Sequence, residues 1–330
     1  MIGKGTAMLY MFSLLVDILG FYLISSVFVK DPSKFAFTKP FSSVALYILI
    51  ITMGLRMGAN EEVTGNIGTI GLQALIITIM AIGGSMIVAY IASRIMKMNK
   101  QGLLPGEAEK REETEGDQET GNSAIKSSMV ILLLAAFGIF LGFAVVPRVF
   151  DDMEAFQNGA ANVITVVLYI LLACVGFDLG LEGGLGDKMK AIGLRVLVLP
   201  LCINIGTLGM GLIYGLIGSF SVRESLAIFA GFGWYSLAPA IIINAGFIKA
   251  SAVSFLHNVL REVFSFLLIP IVAEKIGYYT AIAIPAAPGM DVCIPIVKKC
   301  TNSEMVLYSL VSGIITSSEV SILVTLFIGA

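Results

Sequence analysis

Apolar residues fill this chain in long runs, and short polar stretches separate the runs. A helix that crosses a bilayer needs about 20 predominantly apolar residues. The first run is too long for the core of a signal peptide and is therefore interpreted as a helix. The pattern predicts an all-α polytopic membrane protein. Ten segments are predicted, at residues 6–29, 42–58, 68–95, 128–150, 161–181, 193–220, 225–247, 251–273, 277–297 and 305–329.

Two of the later segments are interrupted by helix-breaking residues. Segment 225–247 contains the run GFGWYSLAP at 231–239, and segment 277–297 contains the run PAAPGMD at 285–291. Proline removes an amide donor and glycine weakens a helix. Inside a membrane, the backbone groups freed by such breaks must be satisfied by protein, water or ligand. Breaks of this kind are typical of the binding sites of secondary transporters.

The two segments that follow these breaks carry polar stripes. Residues spaced by three or four positions share one face of a helix, and each stripe contains one acid. We expect the stripes to form two walls of one cavity. The stripes are Ser254, Asn258, Glu262 and Ser265 on segment 251–273, and Ser309, Ser312, Thr316 and Glu319 on segment 305–329.

The first six segments contain an internal duplication at a constant shift of 122 residues. Each copy has three segments, an odd number, so the second copy must enter the membrane from the opposite side. Inverted repeats are typical of many secondary transporters. The matches include LGF at 19–21 and 141–143, LYIL at 46–49 and 168–171, and Gly54 and Gly58 with Gly176 and Gly180.

Two arrangements of the interrupted segments agree with this pattern. The chain has either eight transmembrane helices plus two re-entrant hairpins, or ten crossing segments with two broken helices. Of the 21 Lys and Arg residues, 15 fall on one side and five on the other, with one of Lys249 and Lys275 assigned to each side and Arg261 inside the membrane. Because Lys and Arg are enriched in cytoplasmic loops, both arrangements place both termini outside the cytoplasm.

Composition leaves little room for a soluble domain, since 57% of the residues are hydrophobic and the mean hydropathy is +0.92. Seven of the acids lie in residues 101–126, which predicts a disordered cytoplasmic linker.

The four cysteines have no paired spacing and predict neither zinc nor a disulfide framework. The predicted parts are a three-helix repeat at 1–100, the linker at 101–126, an inverted three-helix repeat at 127–222, and a transport region at 223–330.

Glu262 is the first candidate for chemistry. A charged residue at the bilayer centre costs about 2.5 to 3.5 kcal/mol, so an acid there usually faces a cavity or a partner. The alternative is that Glu262 pairs with Arg261 and holds helices together. Asp291 follows the second break, where unpaired backbone collects ions or substrate charge, and its alternative role is a helix cap. The supporting cavity residues are predicted to be Asn258, Arg261, Trp234, Tyr235, Ser236 and Glu319.

Three motifs in order carry a resemblance to a known family. They are GFGWYSL at 231–237, NVLRE at 258–262 and MDVCIP at 290–295. With these motifs the chain resembles the bacterial lysine exporter family of the LysO type, most strongly from 228 to 328. The resemblance implies export of L-lysine across the bacterial inner membrane by a multi-pass protein. It also implies that the family's intramembrane acid pair lies at Glu262 and Asp291.

We therefore expect a proton antiporter for L-lysine and close cationic analogues. A sodium/proton or other organic-ion antiporter could use the same acids, so Na⁺ stays open as the coupling ion. An intramembrane aspartyl enzyme is disfavoured, because the sequence lacks a second aspartate in a Gly-x-Gly-Asp setting and a Ser–His pattern. We expect no catalytic residue, metal or cofactor. The expected partners are the lipid bilayer and the small-molecule substrate, without nucleic acid, and a homodimer stays open.

Overall fold

The computed structural model describes residues 4–29, 38–59, 68–105, 130, 133–134, 137–182, 190, 192–235 and 237–329. Regular structure in these residues is entirely helical, as the apolar pattern predicted. The chain forms two compact units, and each is described by itself. The small unit contains residues 2–66 and 129–192, and the large unit contains residues 67–128 and 193–330.

The helices of the small unit are α1, α2, α4 and α5, and those of the large unit are α3 and α6 to α12. Short 3₁₀ turns precede α6, at Gly193–Leu197, and α11, at Ala287–Met290. The helices are α1 (Lys4–Phe28), α2 (Thr38–Gly58), α3 (Thr69–Ile95), α4 (Phe137–Val149), α5 (Met153–Glu182), α6 (Val198–Ile217), α7 (Val222–Phe229), α8 (Ala238–Asn244), α9 (Ile248–Lys275), α10 (Tyr278–Ala281), α11 (Ile294–Cys300) and α12 (Ser303–Ile328).

The helix lengths support a polytopic membrane protein. Among the described residues, α3, α5, α6 with its preceding turn, α9 and α12 are long and apolar enough to cross a bilayer. Shorter apolar helices lie within α1, α2 and α4. Large apolar side chains such as Phe28, Ile205 and Leu326 are exposed on these helices, as is expected for surfaces that face lipid.

Helix α5 begins earlier than the apolar pattern predicted, at Met153 instead of residue 161. Its first two turns contain Glu154, Gln157 and Asn158, which interrupt the apolar pattern. The carboxylate of Asp152 accepts a hydrogen bond from the Ala155 N–H at 2.8 Å. This is the usual capping arrangement at a helix start, and it extends the helix beyond its apolar part.

In the small unit, α1 and α2 both pack against α5. The duplicated glycines lie at close helix contacts. A methyl group on Gly54 or Gly58 would overlap the backbone of α4, and one on Gly176 or Gly180 would overlap α1. In each copy, therefore, the second helix packs through its glycines on the first helix of the other copy.

In the large unit, α3 and α6 cross at Gly84 and Gly206. A methyl group on either glycine would overlap the carbonyl oxygen of the other. The two positions are separated by 122 residues, which is the shift of the duplication. Each glycine thus meets its own equivalent in the other copy.

The first interrupted segment doubles back on itself. It consists of α7, a break at residues 230–237 and α8, and is called hairpin 1. The guanidinium of Arg223, at the start of α7, lies 5.9 Å from the ring of Phe247, just after α8. The ammonium of Lys249 lies 5.4 Å from the ring of Phe220. Arg223 also donates to the carbonyl oxygen of Ile328 at 2.8 Å, so the end of α12 lies there too.

The second interrupted segment, residues 278–302, also begins and ends at one place, and is called hairpin 2. The N–H of Tyr278 donates to the Lys100 carbonyl at 2.9 Å, and the side-chain amide of Asn302 donates to the Gln101 carbonyl at 2.9 Å. Helix α12 runs from this end of the large unit to the end that holds hairpin 1. The two hairpins therefore begin and end at opposite ends of the large unit.

The structure also places Lys249 and Lys275 at opposite ends of the large unit. The sequence alone did not decide on which side of the membrane each of them lies. Lys275 lines a cleft with Arg94 at the hairpin 2 end, whereas Lys249 lies at the hairpin 1 end. Within the predicted linker, residues 101–105 are described, and Leu103 is buried there. The rest of the linker, 106–126, lies outside the described residues.

Candidate functional site

The tips of the two hairpins meet inside the large unit. The N–H of Ala287 in hairpin 2 donates to the Phe232 carbonyl in hairpin 1 at 3.0 Å. Gly233 packs so closely on Pro288 that a methyl group there would overlap the proline ring. Phe232, Gly233 and Ala286 have φ angles of 46°, 97° and 57°. Only glycine adopts such values without strain, so the two non-glycine residues are held there by the surrounding contacts.

Asn258 of α9 fastens the tip of hairpin 1. Its Oδ1 accepts the Gly233 N–H at 2.7 Å, and its Nδ2 donates to the Ser254 carbonyl at 2.8 Å. Any side chain on Gly231 would overlap the Asn258 amide. The amide is fully buried, and it satisfies a backbone group that the break would otherwise leave without a partner.

Helix α12 fastens the tip of hairpin 2 in a comparable way. The Ser309 hydroxyl donates to the Gly289 carbonyl at 2.8 Å. One turn later, Gly313 lets the backbone of Met290 approach α12 closely, since a methyl group there would overlap it. Each predicted polar stripe thus forms a hydrogen bond with the backbone of the interrupted segment that precedes it in the chain.

The two predicted acids lie beside this crossing. Glu262 lies one turn after Asn258 on α9 and is buried, with 8% of its surface exposed. Asp291 is half-buried, directly after the 3₁₀ turn of hairpin 2, and its Oδ1 accepts the Val292 N–H at 2.7 Å. Both carboxylates interact electrostatically with Cys293, whose thiol shares a hydrogen bond with Ser265. Both carboxylates therefore lie within electrostatic range of one thiol, that of Cys293.

Arg261 is adjacent to Glu262 in sequence, but its side chain binds other groups. The guanidinium is fully buried. Its Nε donates to the Ile284 carbonyl at 3.0 Å, its Nη2 to the Ser85 hydroxyl at 3.1 Å, and its Nη1 to the Thr207 hydroxyl at 3.4 Å. Within the described part of the chain, these hydrogen bonds all go to neutral oxygens, so they give no support to a Glu262–Arg261 adhesive pair.

The remaining predicted residues surround the tip of hairpin 1 or lie on α12. Trp234 and Tyr235 are half-buried, and the ring of Tyr235 packs edge-on at 6.3 Å from the ring of Phe255. Glu319 accepts a hydrogen bond from the amide of Asn204 on α6 at 2.6 Å. Ser236 lies outside the described residues.

Sequence reasoning missed Ser85 and Thr207 as partners of Arg261. A signal for them was present, because these two residues are also separated by the 122-residue shift and each follows a glycine of the helix crossing. Asn204 was missed for lack of any local signal. Among the described residues, no group of three or more His, Cys, Asp and Glu side chains could hold a metal ion.

Comparison with known proteins decides the family. Residues 14–105 and 132–328 match the profile of the family described as lysine exporter LysO. The chain belongs to this family. The resemblance inferred from the three motifs is thereby confirmed, and the match covers nearly all of both structural units.

Two relatives show how far the similarity extends. The lysine exporter LysO of Escherichia coli (strain K12) is 28% identical over 173 residues, which are 52% of this chain and 57% of that protein. A putative lysine exporter of Haemophilus influenzae is 26% identical over 200 residues, 60% of this chain and 96% of that protein. The matched region thus spans little more than half of the Escherichia coli relative. No solved structure matches the chain.

Proposed function

We propose that this chain exports L-lysine and close cationic analogues across the bacterial inner membrane in exchange for protons. Glu262 and Asp291 hold the substrate and protons alternately. The observation that supports the proposal is that both carboxylates lie within electrostatic range of the Cys293 thiol, in the hairpin whose tip meets that of hairpin 1. The names of the two relatives, both lysine exporters, support the substrate.

The same proposal includes an inverted-repeat architecture with eight transmembrane helices and two re-entrant hairpins. The contact between Gly84 and Gly206 supports it, because a residue on a two-fold axis meets its own equivalent. The opposite entry of the two hairpins supports it as well. Arg94 and Lys275 lie together at the hairpin 2 end, so by the distribution of positive charge this end faces the cytoplasm and both termini lie outside.

The chemistry follows from two carboxylates in a largely buried place. At an effective dielectric constant near 20, an ammonium about 4 Å from a carboxylate gains roughly 4 kcal/mol before desolvation. This gain is large enough to favour a cation over a neutral analogue of the same shape. A diamino acid with a net positive charge therefore suits a site with two acids.

Charge balance favours a proton as the exchanged ion. Outward movement of one positive charge against an interior-negative potential costs about 2.3 kcal/mol per 100 mV, and inward movement of one proton cancels this cost. A proton that arrives from outside neutralises a carboxylate and weakens its hold on the ammonium. Lysine is then released outward, and the pH gradient alone drives the cycle.

The test is efflux of labelled lysine from proteoliposomes driven by a pH gradient in sodium-free buffer. We expect Glu262→Gln and Asp291→Asn each to lower the efflux rate at least about tenfold, since each loses a charge-assisted contact worth about 1.5 to 3 kcal/mol. Glu274→Gln is the matched control, because Glu274 lies on the same helix, near its end. Efflux by Glu262→Gln at the wild-type rate would contradict the assignment.

A further inference from the structure

The surroundings of Arg261 form a second built site in the large unit. Three oxygens converge on its buried guanidinium, from the Ile284 carbonyl and the Ser85 and Thr207 hydroxyls. We call these three oxygens the guanidinium site. A cation inside a membrane protein is costly and is commonly paired with backbone carbonyls or with an acid. Here the hydrogen bonds of the guanidinium all go to neutral oxygens.

The location of the guanidinium site is defined by the helix crossing. Ser85 and Thr207 directly follow Gly84 and Gly206, the glycines through which α3 and α6 touch. Arg261 therefore reaches across from α9 to the point where these two helices meet. Its third partner, Ile284, lies where hairpin 2 unwinds after α10. One side chain thus connects the crossing of the duplicated helices with hairpin 2.

The oxygens of the guanidinium site accept hydrogen bonds from the cation. The Ser85 hydroxyl donates its own proton to the Ala81 carbonyl at 2.7 Å, which leaves a lone pair for Arg261. The Ile284 carbonyl has no proton to donate. In carriers with discontinuous helices, carbonyls of unwound backbone and half-helix ends coordinate the coupling cation. The guanidinium site offers oxygens of this kind, and a covalently attached cation already fills it.

We infer that Arg261 is a built-in cation that occupies a latent sodium site, so that lysine transport runs without Na⁺. The inference rests on the proposed function and deepens it, because it removes Na⁺ as coupling ion at this place and leaves Glu262 and Asp291 to bind protons. Removing the guanidinium would vacate the three oxygens and admit water. The vacated site would then bind an alkali cation.

The test measures thermal unfolding of purified protein in NaCl and in choline chloride at equal ionic strength, without lysine. The wild type should unfold at the same temperature in both salts. Arg261→Ser should be stabilised by NaCl, by about 2 °C if Na⁺ is in roughly tenfold excess over its dissociation constant. Arg261→Lys keeps a cation in place and should not respond. Lys275→Ser removes an exposed cation and controls for net charge.

Two results would overturn the inference. One is stabilisation of the wild type by NaCl, and the other is a folded Arg261→Ser that responds to none of Li⁺, Na⁺ and K⁺. Folding of Arg261→Ser in NaCl but not in choline chloride would support it. If Arg261→Ser folds in neither salt, the rate of lysine efflux by the wild type is measured in both salts instead. Equal efflux rates support the inference, and a requirement for sodium refutes it. The unfolding measurement contains no lysine, so its outcome is separate from the fate of the proposed export activity.

Discussion

A single buried amide, that of Asn258, holds the tip of hairpin 1. An amide in the middle of an apolar helix loses its contacts with water, and it needs partners in the protein. Asn258 finds them in the Gly233 N–H and the Ser254 carbonyl. The polar stripe on α9 therefore has a structural task at Asn258 and presents an acid one turn later at Glu262.

Asn258→Ala should lower the free energy of unfolding by about 1 to 3 kcal/mol, because it leaves the buried Gly233 N–H without an acceptor. Chemical denaturation in detergent measures this loss. Asn244→Ala is the control, since Asn244 is exposed at the end of α8, and such surface changes usually stay within about 0.5 kcal/mol. An equal loss in both variants would show that Asn258 has no special role.

At the same scale, Arg261 and Glu262 are adjacent in sequence, but adjacency does not decide which partners their side chains contact. Neighbours on a helix point about 100° apart, so two adjacent charged residues can serve different partners. Arg261 binds α3, α6 and hairpin 2, whereas Glu262 lies near Cys293. Adjacency in sequence left the partners of the two residues open, and the surrounding helices determine those partners.

At the scale of elements, the crossing of α3 and α6 depends on glycine. Gly84 and Gly206 allow the two backbones to approach within contact distance, as small residues do in membrane helix pairs. Membrane helices gain little from hydrophobic burial against each other, so this close packing supplies much of their association. The crossing also fixes Ser85 and Thr207 on either side of Arg261.

Gly84→Ala should destabilise the protein by about 1 to 3 kcal/mol, because the methyl group overlaps the Gly206 carbonyl and forces the helices apart. The neighbouring Gly83 provides a matched control, since a methyl group there meets no atom within 4 Å. Gly83→Ala should be neutral or slightly stabilising, as alanine favours helix. Thermal unfolding of both variants checks the difference, and equal midpoints would rule out the close crossing.

At the scale of the whole molecule, the interrupted segments determine the topology. The charge distribution along the chain is the same for hairpins and for broken crossing helices, so it cannot separate them. The hairpin arrangement proposed above rests on the contacts at the hairpin ends. Arg223 and Phe247 lie together at one end of the large unit, and Tyr278 and Asn302 lie together beside Lys100 and Gln101 at the other.

Single cysteines in a cysteine-free background test this topology with a membrane-impermeant maleimide on intact cells. Ser219→Cys and Asn244→Cys flank hairpin 1 and should both be labelled from outside. Lys275→Cys and Lys299→Cys flank hairpin 2 and should both be labelled only after the membrane is permeabilised. Labelling of one residue of a pair from each side would instead indicate a broken helix that crosses the bilayer.

The local pattern of the sequence was sufficient to predict many features of this protein. The apolar segments, the positions of both breaks and the polar stripes depend on residues close together in sequence, and the structure reproduces them with shifts at the helix ends, as at Met153. Glu262 and Asp291 could be proposed as site residues because a charge in an apolar run is costly wherever the run packs, and their role stays a prediction. The 122-residue shift can be read from the sequence because a constant shift needs no knowledge of contacts, and the inverted repeat inferred from it stays a prediction.

Other features depend on contacts between distant residues. Phe232 and Ala287 join the two hairpin tips across a large separation in sequence, and Ser85, Thr207 and Ile284 reach Arg261 from three different elements. The sequence marks the two breaks and the 122-residue spacing of Ser85 and Thr207, but it does not show which of these residues come into contact. The tertiary structure alone decided which neighbours satisfy the buried polar groups, because many pairings satisfy the same donors and acceptors and packing selects among them.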